Sequence, residues 1–219
     1  VHTPRAVIEQ LLALLQSQAP QALLFIDETY REAGYGDEAV PESLAALHPR
    51  IVTGASVSKA LGAPGLRTGW LTVPDADLRA RLVVAKMNTV ISGSVLDEAL
   101  ATALLRHREP VLAPRRRLLA EGLAALTAWC DAERERIEWI RPDGGALCCL
   151  RLRADRFDDN AVARFWQLLP GHELQLASGA WFGESERVFR LGFGYLPPDR
   201  LAPALSALST VLDLSLIHI

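Results

Sequence analysis

Lysine is nearly absent from this 219-residue sequence: of 23 basic side chains only Lys59 and Lys86 are lysines, so any chemistry that needs a free amine has two candidates. Arginine cannot stand in, because a guanidinium keeps its proton and does not act as an amine nucleophile. Cysteine is scarce as well. Cys130, Cys148 and Cys149 are odd in number, two are adjacent and none has metal-ligand spacing, which argues against a disulfide framework or a zinc site. A reducing cytoplasm suits that usage. No apolar stretch approaches the ~20 residues that cross a bilayer, and the start shows no charged-then-apolar leader, so no membrane association is expected. No basic run exceeds Arg115-Arg116-Arg117, which reads as a solvated helix face, and a net charge of −3 offers no footprint for nucleic acid. Internal repeats and low-complexity segments are missing too.

What is present is an ordinary globular composition, half of it apolar. Both ends read as cut. The chain opens on Val1 and within three residues Thr3-Pro4 reads as a helix cap followed by a first-turn proline, so an upstream part is expected. Residues 215–219 follow a helix whose apolar pattern is complete and read as a foreign tail. Between the ends, Val7, Ile8, Leu11, Leu12, Leu14 and Leu15 place a broad buried face on a first helix. Leu23 to Ile26 is a short unbroken apolar run ending in Asp27, as in a strand buried on both faces of a parallel sheet. Strands are expected at Ile51 to Ala55 and Gly69 to Val73. Polar residues gathered at strand ends, with helix between, predict an α/β sheet with its ligand site at that edge. Helices follow at Leu78 to Val84, Leu96 to Leu105 and Val111 to Trp129, with Pro110 and Pro114 punctuating the join of the last two. Strand-like pieces at 137–140, 146–152, 174–177 and 188–193, and helices at 160–169 and 198–212, complete the pattern. The expected division is residues 1–109 from a large α/β domain, 110–214 as a small α+β domain, and 215–219 as the tail.

Four motifs carry chemistry when their order is considered: Asp27-Glu28-Thr29-Tyr30, Ser56-Val57-Ser58-Lys59, the run Gly62 to Trp70 containing Gly65 and Arg67, and Phe189-Arg190-Leu191-Gly192-Phe193. Each alone has an ordinary explanation, such as a strand-ending aspartate or a glycine turn. Lys86, flanked by Ala85 and Met87, has no such company and reads as a solvated surface lysine. In the last motif Phe189, Leu191 and Phe193 alternate with Arg190 and Gly192, so the arginine points away from the apolar face.

Together these motifs closely resemble the fold-type I enzymes dependent on pyridoxal 5′-phosphate (PLP), specifically aminotransferases of class I and II, over nearly the whole chain to about Leu214. The resemblance implies a partial PLP-transferase fold of type I: the mostly parallel sheet of the large domain plus the small α+β C-terminal domain. It implies Lys59 as the lysine that holds PLP and then moves a proton, and Asp27 as the carboxylate that keeps the pyridine nitrogen protonated. Tyr30 is the implied partner of the ring oxygen, Ser56, Ser58 and Arg67 of the phosphate, and Arg190 of the substrate carboxylate. Gly62 and Gly65 would let the backbone pass close to the cofactor. The family's N-P-T-G segment should lie just before the first helix, where only Val1-His2-Thr3-Pro4 stands, and its glycine- or serine-rich loop and ring-stacking aromatic belong further upstream. The implied activity of the parent protein, expected as a homodimer, is amino transfer between an amino acid and a 2-oxo acid. Another PLP reaction (a C–S lyase, a decarboxylase or an amino-acid cyclase) stays open, as does the PLP-sensing domain of a transcription regulator. Oxoamine synthases are disfavoured, since they usually carry His where this chain has Tyr30.

Overall fold

The computed structural model describes residues 3–35 and 40–217. The first apolar stripe folds as helix α1, Arg5–Gln18, with Pro4 itself in the cap position and its carbonyl accepting from the Val7 and Ile8 amides. The buried face is narrower than its pattern implied: Ile8 and Leu12 are covered, whereas Val7, Leu11 and Leu14 are exposed. Strand β1, Leu24–Asp27, runs parallel to β2, Ile51–Ser56, with Leu24 opposite Ile51 and Asp27 opposite Gly54. Strand β3, Gly69–Thr72, joins β2 antiparallel, Ser56 facing Gly69. One pairing is thus parallel and one antiparallel among the described residues. Ile8 and Leu12 of α1 close a core with Ile51, against which Leu24, Ile26, Leu44 and Leu47 pack.

The expectation of a first strand buried on both faces fails here. Period-two alternation sends Leu24 and Ile26 toward α1 but Phe25 and Asp27 to the other face, where Phe25 remains 58% exposed. Leu71 of β3 is exposed as well. Two helices follow: α2, Ala76–Met87, capped by the Asp75 carboxylate accepting from the Leu78 amide at 2.7 Å, and α3, Val95–Arg106, capped by Ser94. Their apolar residues are largely uncovered, Val83, Val84, Met87, Val95, Leu96 and Leu100 among them. Together they make an exposed apolar surface of the kind that ordinarily meets other polypeptide.

Helix α4 spans Arg108–Ala132, separated from α3 by His107 alone. Pro110 and Pro114 therefore do not mark the join. Pro110 sits in the first turn, where a helical N–H has no partner to lose, and Pro114 lies inside the helix. The chain divides into compact units Val1–Arg116 and Arg117–Ile219, a division that falls within α4.

In the second unit a four-stranded antiparallel sheet has the order β4 (Ile137–Trp139), β5 (Leu147–Leu152), β7 (Val188–Gly192), β6 (Ala177–Ser178). Helices α5, Asp159–Leu168, and α6, Pro198–Ser215, complete it. Strict alternation in β5 buries Cys148, Leu150 and Leu152. Leu201, Leu205, Leu208 and Leu212 form the inner stripe of α6, and Phe157, Phe165, Phe189 and Phe193 are fully buried. Ser215, expected in a tail foreign to the fold, is the buried last residue of α6, and its carbonyl accepts from Arg164 Nε at 3.0 Å. His218 and Ile219 lie outside the described residues. No described helix is long and apolar enough to cross a membrane.

Candidate functional site

Strand ends meet at one edge of the first sheet. Parallel pairing puts Asp27, last in β1, and Ser56, last in β2, at the same edge, and antiparallel β3 begins there at Gly69. The connections carrying residues 28–30 and 57–68 therefore leave from that edge, where ligands of open α/β sheets bind.

Asp27 Oδ1 accepts from the Thr29 amide at 2.9 Å and from the Thr29 hydroxyl. This local turn fixes the carboxylate's direction, and because both bonds fall on Oδ1 it leaves Oδ2 for another donor. The carboxylate is exposed and not buried, since it shares the open face with Phe25 and borders a cleft of about 660 Å³. Lys86, exposed in the last turn of α2, lines the same cleft with Trp70, Leu71 and Arg79, whereas Lys59 does not. Lys59 stands with Tyr30 instead, its Nζ 6.0 Å from the centre of the phenol ring. Tyr30 in turn shares a smaller hollow of about 110 Å³ with Asp27, Glu28, Arg31 and Leu44. Asp27 borders both spaces.

The turn that presents Lys59 is held from beneath. Val57 is fully buried and Ala60 and Leu61 nearly so, while Val57 N donates to Thr68 O at 3.2 Å and Ala63 N to Val57 O at 3.0 Å. With its neighbours pinned, Lys59 is the side chain left projecting to solvent. Ser56 Oγ accepts from the Ser58 amide at 3.3 Å, so both hydroxyl residues, each half-buried, line this turn. Arg67 closes the short helical turn Pro64–Leu66 in the left-handed region (φ +48°), its NH1 donating to Pro64 O at 3.1 Å. A side chain there costs about 1 kcal/mol or more, and such strain concentrates at functional positions.

In the second unit Arg190 leaves β7 on the exposed face, between Cys149 of β5 and Ala177 of β6. Its guanidinium lies over the Phe182 ring at 4.7 Å, and at Gly192 on the same face a Cβ would meet only the Ala146 carbonyl, at 4.0 Å. A guanidinium stacked through its plane keeps its N–H edge for a carboxylate.

Three residues escaped the sequence reading. The Glu28 carboxylate accepts from Ser43 Oγ at 3.0 Å and from the Leu44 amide at 2.9 Å and pairs with Arg31, tying residues 43–44 to the turn that follows Asp27. The arginine triplet is not a uniform solvated face either, because Arg116 pairs with Glu109 at 2.8 Å and Arg115 reaches the Lys59 turn; only Arg117 is exposed. Contacts between positions this far apart leave no local pattern to find. His2, considered in place of the family asparagine, lies outside the described residues.

A family model for aminotransferases of class I and II matches residues 2–208. Capreomycidine synthase of Streptomyces vinaceus is 29% identical over 206 residues, which cover 94% of this chain and 50% of that protein. The crystal structure of a PLP-dependent aminotransferase from Streptococcus suis 89-1591 has a TM-score of 0.84 at 26% identity, covering 99% of this chain and 55% of its own. That of the PLP-dependent cyclase OrfR has a TM-score of 0.78 at 30% identity, over 94% and 54% respectively. The chain thus spans about half the length of these relatives.

Proposed function

Because the chain belongs to the aminotransferase class I and II family, we propose that its parent protein moves an amino group between an amino acid and a 2-oxo acid with pyridoxal 5′-phosphate as cofactor. In this reading the unit Val1–Arg116 is the C-terminal part of the large cofactor-binding domain and Arg117–Ile219 contains the small domain. The observation that carries the proposal is the grouping, at one sheet edge, of an amine, a phenol and an oriented carboxylate: Lys59 Nζ at 6.0 Å from the Tyr30 ring, and Asp27 bordering the hollow that Tyr30 lines.

The donor set fits the cofactor chemically, with an amine for its aldehyde, a carboxylate for its ring nitrogen, a phenol for its ring oxygen, and hydroxyls and a guanidinium for its phosphate. When bound, PLP supplies an electron sink next to the substrate nitrogen, deep only while its ring nitrogen is protonated. Asp27 holds that proton, through the oxygen that its turn with Thr29 leaves available. Tyr30 donates its hydroxyl to the ring oxygen. Lys59 Nζ would hold the cofactor through its aldehyde carbon and, as a free amine, would take or return the proton at the substrate's α-carbon. Ser56, Ser58 and Arg67 bind the phosphate, and Arg190, held against Phe182, grips the substrate carboxylate through its N–H edge. Sparse, unpaired cysteines accord with a cytoplasmic setting, and the family resemblance supports a homodimer.

A second reading is favoured by the match of the PLP-dependent cyclase OrfR over 94% of this chain: cyclisation of an amino acid by the same residues. One experiment separates the two. Full-length protein loaded with PLP is reduced with borohydride and mapped, then unreduced protein is mixed with a panel of amino acids. The proposal expects the phosphopyridoxyl group on Lys59, and a 2-oxo acid released in step with conversion of the cofactor to its amine form. A cyclic amino acid with no oxo acid would establish the second reading. A label on Lys86, or on neither lysine, would overturn the site.

A further inference from the structure

Arg115 follows Pro114 on α4 and reaches across to the turn that carries Lys59. A Cβ built on Gly62 would stand 2.9, 3.3 and 3.7 Å from Arg115 NH1, Cζ and Nε, so the guanidinium is seated directly on the glycine. Gly62 is in the left-handed region at φ +68°, which L side chains rarely adopt. Arg115 NH2 also donates to the Lys59 carbonyl, at a long 3.5 Å, and the same carbonyl accepts from Gly62 N at 3.0 Å. The turn is thus anchored beneath by Val57, Ala60 and Leu61 and touched above, at the exposed Gly62, by one planar cation.

We propose that Arg115 is a positioning residue for Lys59: it clamps the turn 59–62 against Gly62 and so fixes the backbone from which the amine projects. This rests on the reading of Lys59 as the cofactor lysine. The lysine side chain has four rotatable bonds and stands exposed, so its reach is defined only as well as its backbone is. Displacement of a reacting group by about 1 Å lowers rates by about a hundredfold. The clamp depends on shape more than charge, because the contact is a flat face on a residue without a side chain. A lysine at 115 keeps the charge and loses the face.

The test adds PLP to the complete chain and measures the rate of borohydride-trapped labelling at Lys59 by peptide mapping, with Lys86 labelling as internal reference. Amide hydrogen exchange across residues 57–63 is followed without cofactor. Arg115→Gln and Arg115→Lys should each slow Lys59 labelling by about tenfold or more and speed exchange at Gly62 and Ala63 by a similar factor. Lys86 labelling and exchange in β1 and β2 should be unchanged, and Arg117→Gln should alter nothing. Wild-type labelling at Lys59 with unaltered rates and exchange in both Arg115 variants would overturn the clamp while leaving the lysine in place. Absence of preferential Lys59 labelling in the wild type would instead overturn the reading on which the clamp rests.

Discussion

The second unit contains a polar chain, centred on a buried carboxylate, whose removal has a calculable effect. Trp129 Nε1 donates to Ser209 Oγ at 2.9 Å, and Ser209 Oγ donates to Glu133 Oε1 at 2.6 Å. The other carboxylate oxygen pairs with Arg136, which also reaches Asp213. Glu133 is only 5% exposed, so Glu133→Ala strands the half-buried Ser209 hydroxyl and a half-covered guanidinium. A lost hydrogen bond to a charged acceptor is worth about 1.5–3 kcal/mol, and a broken buried pair about 3–5 kcal/mol. The lower end applies to the pair, because the Arg136 side chain is 22% exposed and retains Asp213. The expected loss is therefore about 3 kcal/mol, or roughly 6–12 °C in Tm for a chain of this size. Glu133→Gln keeps the acceptor for Ser209 and the volume, and should lose about 1 kcal/mol. Asp213→Ala, at the exposed end, should lose no more than about 1 kcal/mol. Urea unfolding followed by tryptophan fluorescence reports on this unit, since of five tryptophans only Trp70 lies outside it. A loss below about 1 kcal/mol for Glu133→Ala, or equal losses for Ala and Gln, would refute the network's role.

Burial raises the thiol of Cys148 to about 12 and that of Cys130 further in the same direction. The folded unit therefore keeps protons that the unfolded chain releases, and stability should fall as pH rises above about 9, by about 1.4 kcal/mol per pH unit for each buried thiol; a Cys130→Ala, Cys148→Ala double variant that shows the same alkaline slope would contradict this. At pH 8 Cys148 is thiolate in only about one molecule in ten thousand, so alkylation should modify the exposed Cys149 alone and reach the other two only on unfolding; mass spectrometry finding label on Cys148 in the folded chain would be inconsistent with its burial. Asp27→Ala in the PLP-loaded full-length protein should lower turnover by about 10²–10³-fold, as loss of an electrostatic partner does elsewhere, and activity within about tenfold of wild type would remove Asp27 from the mechanism.

Local pattern was enough to locate most elements. The helix at Arg5–Gln18, the strands ending at Asp27 and Ser56, and the outward Arg190 between buried Phe189 and Leu191 all follow from side-chain period and need no distant information. Motif order was likewise enough for the family, because chemistry confines lysine, aspartate and arginine to fixed spacings along the chain. Tertiary structure decided what covers each face. Asp27 and Phe25 read as buried from an apolar run, yet burial depends on whether anything packs on that side of the sheet, and here they border an open cleft. Pro110 and Pro114 read as punctuation, yet the first turn of a helix has N–H groups to spare and α4 continues through both. Ser215 read as foreign, yet the last turn of α6 buries it beneath Arg164. Arg115 read as solvated, yet it meets the Lys59 turn 56 positions away in sequence. Hydrophobic period is a property of neighbours along the chain, whereas cover, capping and long-range contact depend on which segments the fold brings together.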